Sequence, residues 1–82
     1  MSLQEFDMLI DRMQLEFEYA ENLGQYVDAS RILFQMNEQF PDDLQLYLEE
    51  LDSPESAKPF IMKYSSQIKS IIVAYRERLM NF

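Results

Sequence analysis

Carboxylates are the side chains with which this sequence could do chemistry. It has 15 Asp and Glu residues but no Cys and no His, which excludes thiolate nucleophiles, disulfides and Cys/His zinc sites. The acidic residues lack the spacing of a calcium-binding loop, and di-metal carboxylate bundles usually need Glu-x-x-His motifs. No glycine-rich phosphate loop is present in a chain with one glycine. We therefore expect no enzyme, no metal site and no cofactor.

The charges are distributed unevenly along the chain. Residues 1–55 carry 14 acidic and 2 basic side chains, whereas residues 56–82 carry 1 acidic and 5 basic ones, for a net charge of −8. Two explanations stay open: charge pairing inside the fold beneath a solvated surface, or an acidic face that steers a basic partner. The strong negative charge of the first part argues against direct binding to nucleic acid.

An antiparallel helical hairpin is predicted at residues 2–40. Ser2 and Glu5 form a capping box at its start, Gly24 ends the first helix, and Pro41 follows the second, which is predicted at 27–39. Apolar residues recur at steps of three and four in both helices. They are Leu3, Phe6, Ile10, Met13, Phe17 and Ala20, then Tyr26, Ala29, Leu33, Met36 and Phe40.

Two further helices are predicted after the hairpin. Leu44, Tyr47, Leu48 and Leu51 suggest a short helix at 42–51. Pro54 and Pro59 interrupt the chain, so we expect a turn at 52–58 and a long C-terminal helix at 59–80. The stripe of that last helix comprises Ile61, Tyr64, Ile68, Ile71, Ile72, Tyr75 and Leu79.

No membrane insertion is expected from the hydropathy pattern. The most apolar run, residues 70–75, is too short to cross a bilayer, and the first residues do not have the pattern of a signal peptide. The lack of Cys fits the cytoplasm, which is the location we expect.

Residues 10–43 resemble one tetratricopeptide repeat, whose length is about 34 residues. The stretch LGQYVDA at 23–29 resembles the turn of that family, Leu33 and Met36 occupy packing positions of its second helix, and PDD at 41–43 resembles its closing turn. The match covers one repeat, and Phe17 and Met36 replace smaller residues of the family. The resemblance implies a partner groove lined by the first helix. Its contact residues would be Asp11, Gln14, Glu18, Glu21 and Asn22.

The C-terminal segment has a second resemblance. YSSQIKSIIVAYRERLMNF, residues 64–82, is similar to the last helix of type III secretion needle subunits in its Ser-rich start, aliphatic face and final Asn-Phe. The two prolines at 54 and 59 and the additional hairpin depart from those subunits. This resemblance implies a small helical subunit of a secretion system or of another assembly.

These observations predict one all-α domain spanning residues 1–82, a small bundle of three to four helices with an antiparallel hairpin and a long C-terminal helix. The predicted function is a non-catalytic protein-interaction module, such as an adaptor, chaperone or inhibitor, that binds another protein with a basic surface through an apolar helix face. The abundant aromatic and Met residues leave a homo-oligomer open as well. The alternatives are an assembly subunit and a DNA mimic using a row of Asp7, Asp11, Glu18 and Glu21.

Overall fold

Three α-helices make up most of the part of the chain that the structure describes. The structure, a computed structural model, describes residues 1–81. The helices are α1 (Leu3–Asn22), α2 (Tyr26–Glu38) and α3 (Ala57–Met80), and a single 3-10 turn (Pro54–Ser56) precedes α3. No β-strand occurs within residues 1–81, which confirms the all-α prediction.

The hairpin of α1 and α2 forms where the sequence predicts it. The Ser2 hydroxyl accepts a hydrogen bond from the Glu5 N–H at 3.1 Å and donates to the Glu5 carboxylate at 3.0 Å. The Glu5 side chain thus reaches back to Ser2 as predicted, and its carboxylate is bonded to the Ser2 hydroxyl. Gly24 has a φ of 73°, the left-handed geometry that lets the chain leave α1.

The long helix α3 runs parallel to α2 and antiparallel to α1. Its start lies beside the start of α2, where the Lys58 ammonium is 5.4 Å from the centre of the Tyr26 ring. Its end lies beside the start of α1, where the Phe6 and Tyr75 rings are 4.8 Å apart. A short turn would reverse the direction from α2 to α3, so this topology requires the connecting segment to travel back along α2.

That connecting segment, residues 41–53 and here called the strap, is not helical. The predicted helix at 42–51 is therefore wrong. Pro41 closes a turn by accepting hydrogen bonds from the N–H groups of Leu44 at 2.8 Å and Gln45 at 3.1 Å. Beyond this turn the chain is irregular up to the 3-10 turn.

Alternation of the strap leucines explains why no helix forms there. Leu44, Leu46 and Leu48 are partly buried against the core, whereas the residues between them are exposed. This is the period-two pattern of an extended segment. Asn37 of α2 fixes the strap at its centre, because its side chain donates to the Leu46 carbonyl at 3.0 Å and accepts from the Leu46 N–H at 2.9 Å.

Helix α3 begins two residues before its predicted start, and Pro59 lies inside its first turn. A proline is tolerated there because the first N–H groups of a helix have no partner within the helix. The core is continuous across the three helices and includes most of the predicted stripes. Its buried members are Phe6, Ile10, Met13, Phe17, Ala20, Ala29, Leu33, Met36, Phe40, Phe60, Ile61, Ile68 and Ile72.

A candidate protein-interaction face on the first helix

Helix α1 has a second apolar face, which points away from the core. Met8, Leu15 and Tyr19 are 69%, 68% and 69% exposed, and Leu23 after the helix is also exposed. Their spacing of seven and four residues places them on one side of the helix, opposite the buried Phe6 and its stripe. We call Met8, Leu15 and Tyr19 the outer strip of α1. The sequence prediction missed it, although this spacing is visible in the sequence.

Carboxylates border the outer strip on both sides. By helical geometry Asp11 and Glu18 lie along the edge nearer α3, and Glu5 and Glu16 along the other edge. All four side chains belong to exposed residues. Within residues 1–81, Asp7 is the one acidic residue of α1 that forms an ion pair. Arg12, also exposed, lies between Met8 and Leu15 on the same side of the helix, so the surface around the outer strip carries four carboxylates and one guanidinium and has a net negative charge.

The predicted contact residues lie mainly beside a groove between α1 and α3. Gln14, Glu18 and Glu21 form one wall of this ≈ 140 Å³ groove, and Ser65 and Lys69 of α3 form part of the other. The side chains of α2 that close its floor are Leu33 and Met36.

Two of the predicted contact residues lie outside the groove. Asp11 borders an adjoining depression of ≈ 330 Å³ together with Gln14, Leu15 and Glu18. Asn22 is exposed and lines neither space. The structure thus brings Asp11, Gln14, Glu18 and Glu21 onto one continuous surface beside the outer strip.

Ion pairs join the basic C-terminal helix to the acidic first part of the chain. Arg76 binds the Asp7 carboxylate with two hydrogen bonds of 2.6 and 3.0 Å, and Arg78 binds Asp43 with two of 3.1 and 2.7 Å. These hydrogen bonds lower the pKa of Asp7 and of Asp43. Ion pairs within the fold thus account for part of the uneven charge distribution. Most acidic residues of the described chain form no ion pair.

A depression of ≈ 600 Å³ at one end of the bundle is mainly apolar. Its walls include Leu3, Pro41, Tyr75 and Leu79, and its charged residue, Arg78, is already bound to Asp43. Residues 1–81 contain no group of three or more acidic side chains arranged to hold a metal ion. The surface of α1 therefore offers the clearest combination of exposed apolar and unpaired charged groups.

Comparisons with protein-family models, with curated proteins and with solved structures found no match to this chain. The resemblance of residues 10–43 to a tetratricopeptide repeat accordingly stays an interpretation of the hairpin. None of the helices in the described part of the chain is long and apolar enough to cross a membrane.

Proposed function

We propose that this protein is a non-catalytic protein-interaction module, and that the outer strip of α1 with its acidic border is the binding surface. The observation that carries the proposal is the exposure of three large apolar side chains in one row, Met8, Leu15 and Tyr19. Scattered exposed apolar residues are normal on a protein surface, but a row at helical spacing is typical of a helix that packs against a partner.

The chemistry of this surface defines the partner. A helix with its own apolar stripe would cover the outer strip, and Lys or Arg residues beside that stripe would meet Asp11 and Glu18 on one side and Glu5 and Glu16 on the other. Burial of the apolar row would supply most of the binding free energy. The charges would accelerate association and reject acidic partners.

The position of the apolar row favours this function over imitation of DNA. A DNA mimic needs carboxylates along a continuous face, whereas on α1 the outer strip separates one edge of carboxylates from the other. Ion pairing lowers the pKa of Asp7 and Asp43 and raises the pKa of Arg76 and Arg78, which moves all four away from neutrality. These four groups are therefore unsuited to acid–base catalysis near pH 7.

A pair of designed helical peptides tests the proposal. Both carry leucines at positions i, i+3, i+4 and i+7; one has lysines beside the leucines and the other has glutamates. Fluorescence anisotropy should show binding of the lysine peptide and none of the glutamate peptide. A double variant, Leu15→Ser with Tyr19→Ser, should weaken binding by roughly tenfold or more, because two apolar anchors are lost.

A matched variant separates the outer strip from exposed apolar residues in general. Met62→Ser with Val73→Ser removes two exposed side chains of α3, and at a protein concentration where the chain is monomeric it should leave binding of the lysine peptide unchanged. Equal loss with both double variants, or equal binding of both peptides, would contradict the proposed surface. Glu18→Lys should weaken binding of the lysine peptide less than the apolar double variant does, since an exposed charge pair contributes little.

A further inference from the structure

Helix α3 has an exposed apolar row of its own. Met62, Val73 and Met80 are 75%, 56% and 63% exposed. Their spacing of eleven and seven residues places them on one side of α3, and we call them the outer strip of α3. The outer strip of α1 spans eleven residues, from Met8 to Tyr19, or about 16 Å, and that of α3 is longer, with about 16 Å from Met62 to Val73 and about 27 Å from Met62 to Met80.

Basic residues accompany the outer strip of α3 as acidic residues accompany that of α1. Lys69 and Arg76 lie along the edge of α3 that is nearer α1, and both are exposed residues. Arg76 is paired with Asp7 inside the molecule, whereas Lys69 forms no ion pair within residues 1–81. Charge complementarity therefore exists between the two helices that carry exposed apolar rows.

The order of these features across the surface follows from the groove between α1 and α3. Glu18 and Glu21 line one side of the groove and Lys69 the other, so the acidic edge of α1 faces the basic edge of α3. The two outer strips lie beyond these edges. One side of the molecule thus presents four bands in sequence: the α1 strip, an acidic edge, a basic edge and the α3 strip.

This order makes the surface complementary to itself. Consider a two-fold axis that runs parallel to the helices, just outside the groove. It places α1 of the first copy opposite α3 of the second, and α3 of the first copy opposite α1 of the second. Rotation about this axis does not change the position of a residue along the helix direction. Residues that are level within one molecule, such as Glu18 and Lys69, are therefore also level across the two copies.

We infer that a second copy of this chain occupies the α1 surface, and that the protein forms a two-fold dimer in which the α1 strip of each copy packs on the α3 strip of the other. This inference rests on the proposed function, because it names the partner of the α1 surface. In the dimer, Asp11 and Glu18 face Lys69 of the other copy, and the exposed apolar rows cover each other.

Pairing of α1 with α1 is the competing arrangement, and the charges oppose it. Helix α1 has six acidic residues and one basic residue, so two copies of this helix would bring like charges together. Pairing of α1 with α3 sets opposite charges beside each apolar row. The dimer depends on charge attraction as well as apolar burial, so raising the salt concentration should weaken it.

Sedimentation equilibrium of the full chain and of the two double variants tests the dimer. The wild type should change from monomer to dimer as its concentration rises and should not grow further. Leu15→Ser with Tyr19→Ser, and Met62→Ser with Val73→Ser, should each raise the dimer dissociation constant by roughly tenfold or more. Circular dichroism should show unchanged helix content, because all four side chains are more than half exposed.

Mixing the two double variants gives the sharpest result. The α1 variant keeps an intact α3 strip and the α3 variant keeps an intact α1 strip, so the mixture can form one of the two wild-type contacts. We expect mixed dimers at concentrations where each variant alone is monomeric. If the α3 variant still dimerises and mixing restores nothing, α1 pairs with α1 and the inference is overturned. Growth of the wild type beyond a dimer would overturn the closed two-fold arrangement.

The inference and the proposed function fail in different experiments. A wild-type chain that stays monomeric up to about millimolar concentration, where even weak complexes form, overturns the dimer. The α3 double variant, whose α1 surface is free, should still bind the lysine peptide in that case. Loss of peptide binding by this variant would instead remove the proposed function.

Discussion

The hairpin of α1 and α2 and the strap at 41–53 are built on different principles. In the hairpin, apolar residues repeat at steps of three and four, a Ser2 cap begins α1, and Gly24 ends the run, so each feature is determined by neighbours in sequence. The strap has no repeating hydrogen bonds. Within the described chain the N–H groups of residues 47–52 donate no hydrogen bond, and Asn37 holds the segment through Leu46.

The hairpin mainly determines the stability of the fold, whereas the strap determines its topology. Helices α1 and α2 contribute eight of the 13 buried core residues of the described chain. The strap determines that α3 runs parallel to α2. With a short turn in its place, α3 would run in the opposite direction, and its basic edge would face α1 in a different register. The four bands of the α1–α3 surface therefore depend on an irregular segment.

The largest effect is expected from the hairpin core. Phe6→Ala should lower the free energy of unfolding by about 3–5 kcal/mol, because the ring is fully buried and packs against Phe40 and Tyr75. Chemical denaturation followed by circular dichroism measures this loss. The matched control is Met8→Ala on the outer strip, measured at a concentration where the chain is monomeric, with an expected change within about 0.5 kcal/mol. Comparable losses for both variants would show that the outer strip is buried in the monomer.

A smaller loss is expected from the anchor of the strap. Asn37→Ala removes both side-chain hydrogen bonds to Leu46 and should cost about 1–3 kcal/mol, because two partly buried backbone groups lose their partner. Hydrogen exchange at the Leu46 amide provides a direct measurement, since the variant should exchange there much faster. Gln45→Ala removes one hydrogen bond, to the Phe40 carbonyl, and should cost no more than about 1 kcal/mol. Unchanged exchange at Leu46 would mean that Asn37 does not hold the strap.

These two variants also mark what sequence can and cannot predict. The periodicity that includes Phe6 located both hairpin helices within a residue or two at each end, because helix formation depends on near neighbours. Leu44, Leu48 and Leu51 fit a helical period, but Leu44, Leu46 and Leu48 fit an extended one equally well. The choice between them depends on Asn37, nine residues from Leu46 in sequence, which local patterns do not report.

The candidate surface shows the same limit. The resemblance to a tetratricopeptide repeat predicted Asp11, Gln14, Glu18, Glu21 and Asn22 as contact residues, and the structure places the first four on one surface and Asn22 outside it. The exposure of Leu15 and Tyr19 was not predicted, because a second apolar row can equally be covered by another helix of the same chain. Only the direction of α3 shows that this row stays uncovered.

A third variant tests whether the turn of the hairpin is determined by its local sequence. Gly24→Ala should cost roughly 1–2 kcal/mol, since the residue has a φ of 73° and alanine is strained there. No atom lies within 4 Å of an added Cβ, so the loss is one of backbone conformation and not of packing. Gly24→Asn should lose less, because asparagine tolerates this conformation better. Denaturation midpoints of the two variants compare them, and a larger loss for Asn than for Ala would contradict the backbone explanation.

The smallest effect on stability is expected from two ion pairs. One joins Asp7 of the hairpin to Arg76, and the other joins Asp43 of the strap to Arg78. Hydrogen bonds from Arg76 and Arg78 lower the pKa of Asp7 and Asp43 from their ordinary value of 3.8. A carboxyl whose pKa is lowered on folding stabilises the protein above its ordinary pKa, and this stability is lost as the pH falls through the folded value. Each pair should therefore contribute a small stabilisation at pH 6 that disappears well below pH 4.

The two pairs should not contribute equally. The Asp7 side chain is 32% exposed and that of Asp43 63%, so water screens the pair of the strap more strongly. Unfolding midpoints between pH 6 and pH 2 should show that Asp7→Asn removes more of the pH dependence than Asp43→Asn does. High salt should reduce the difference, because both pairs are accessible to solvent. A larger effect of Asp43→Asn would instead show that the strap is held by charge as well as by Asn37.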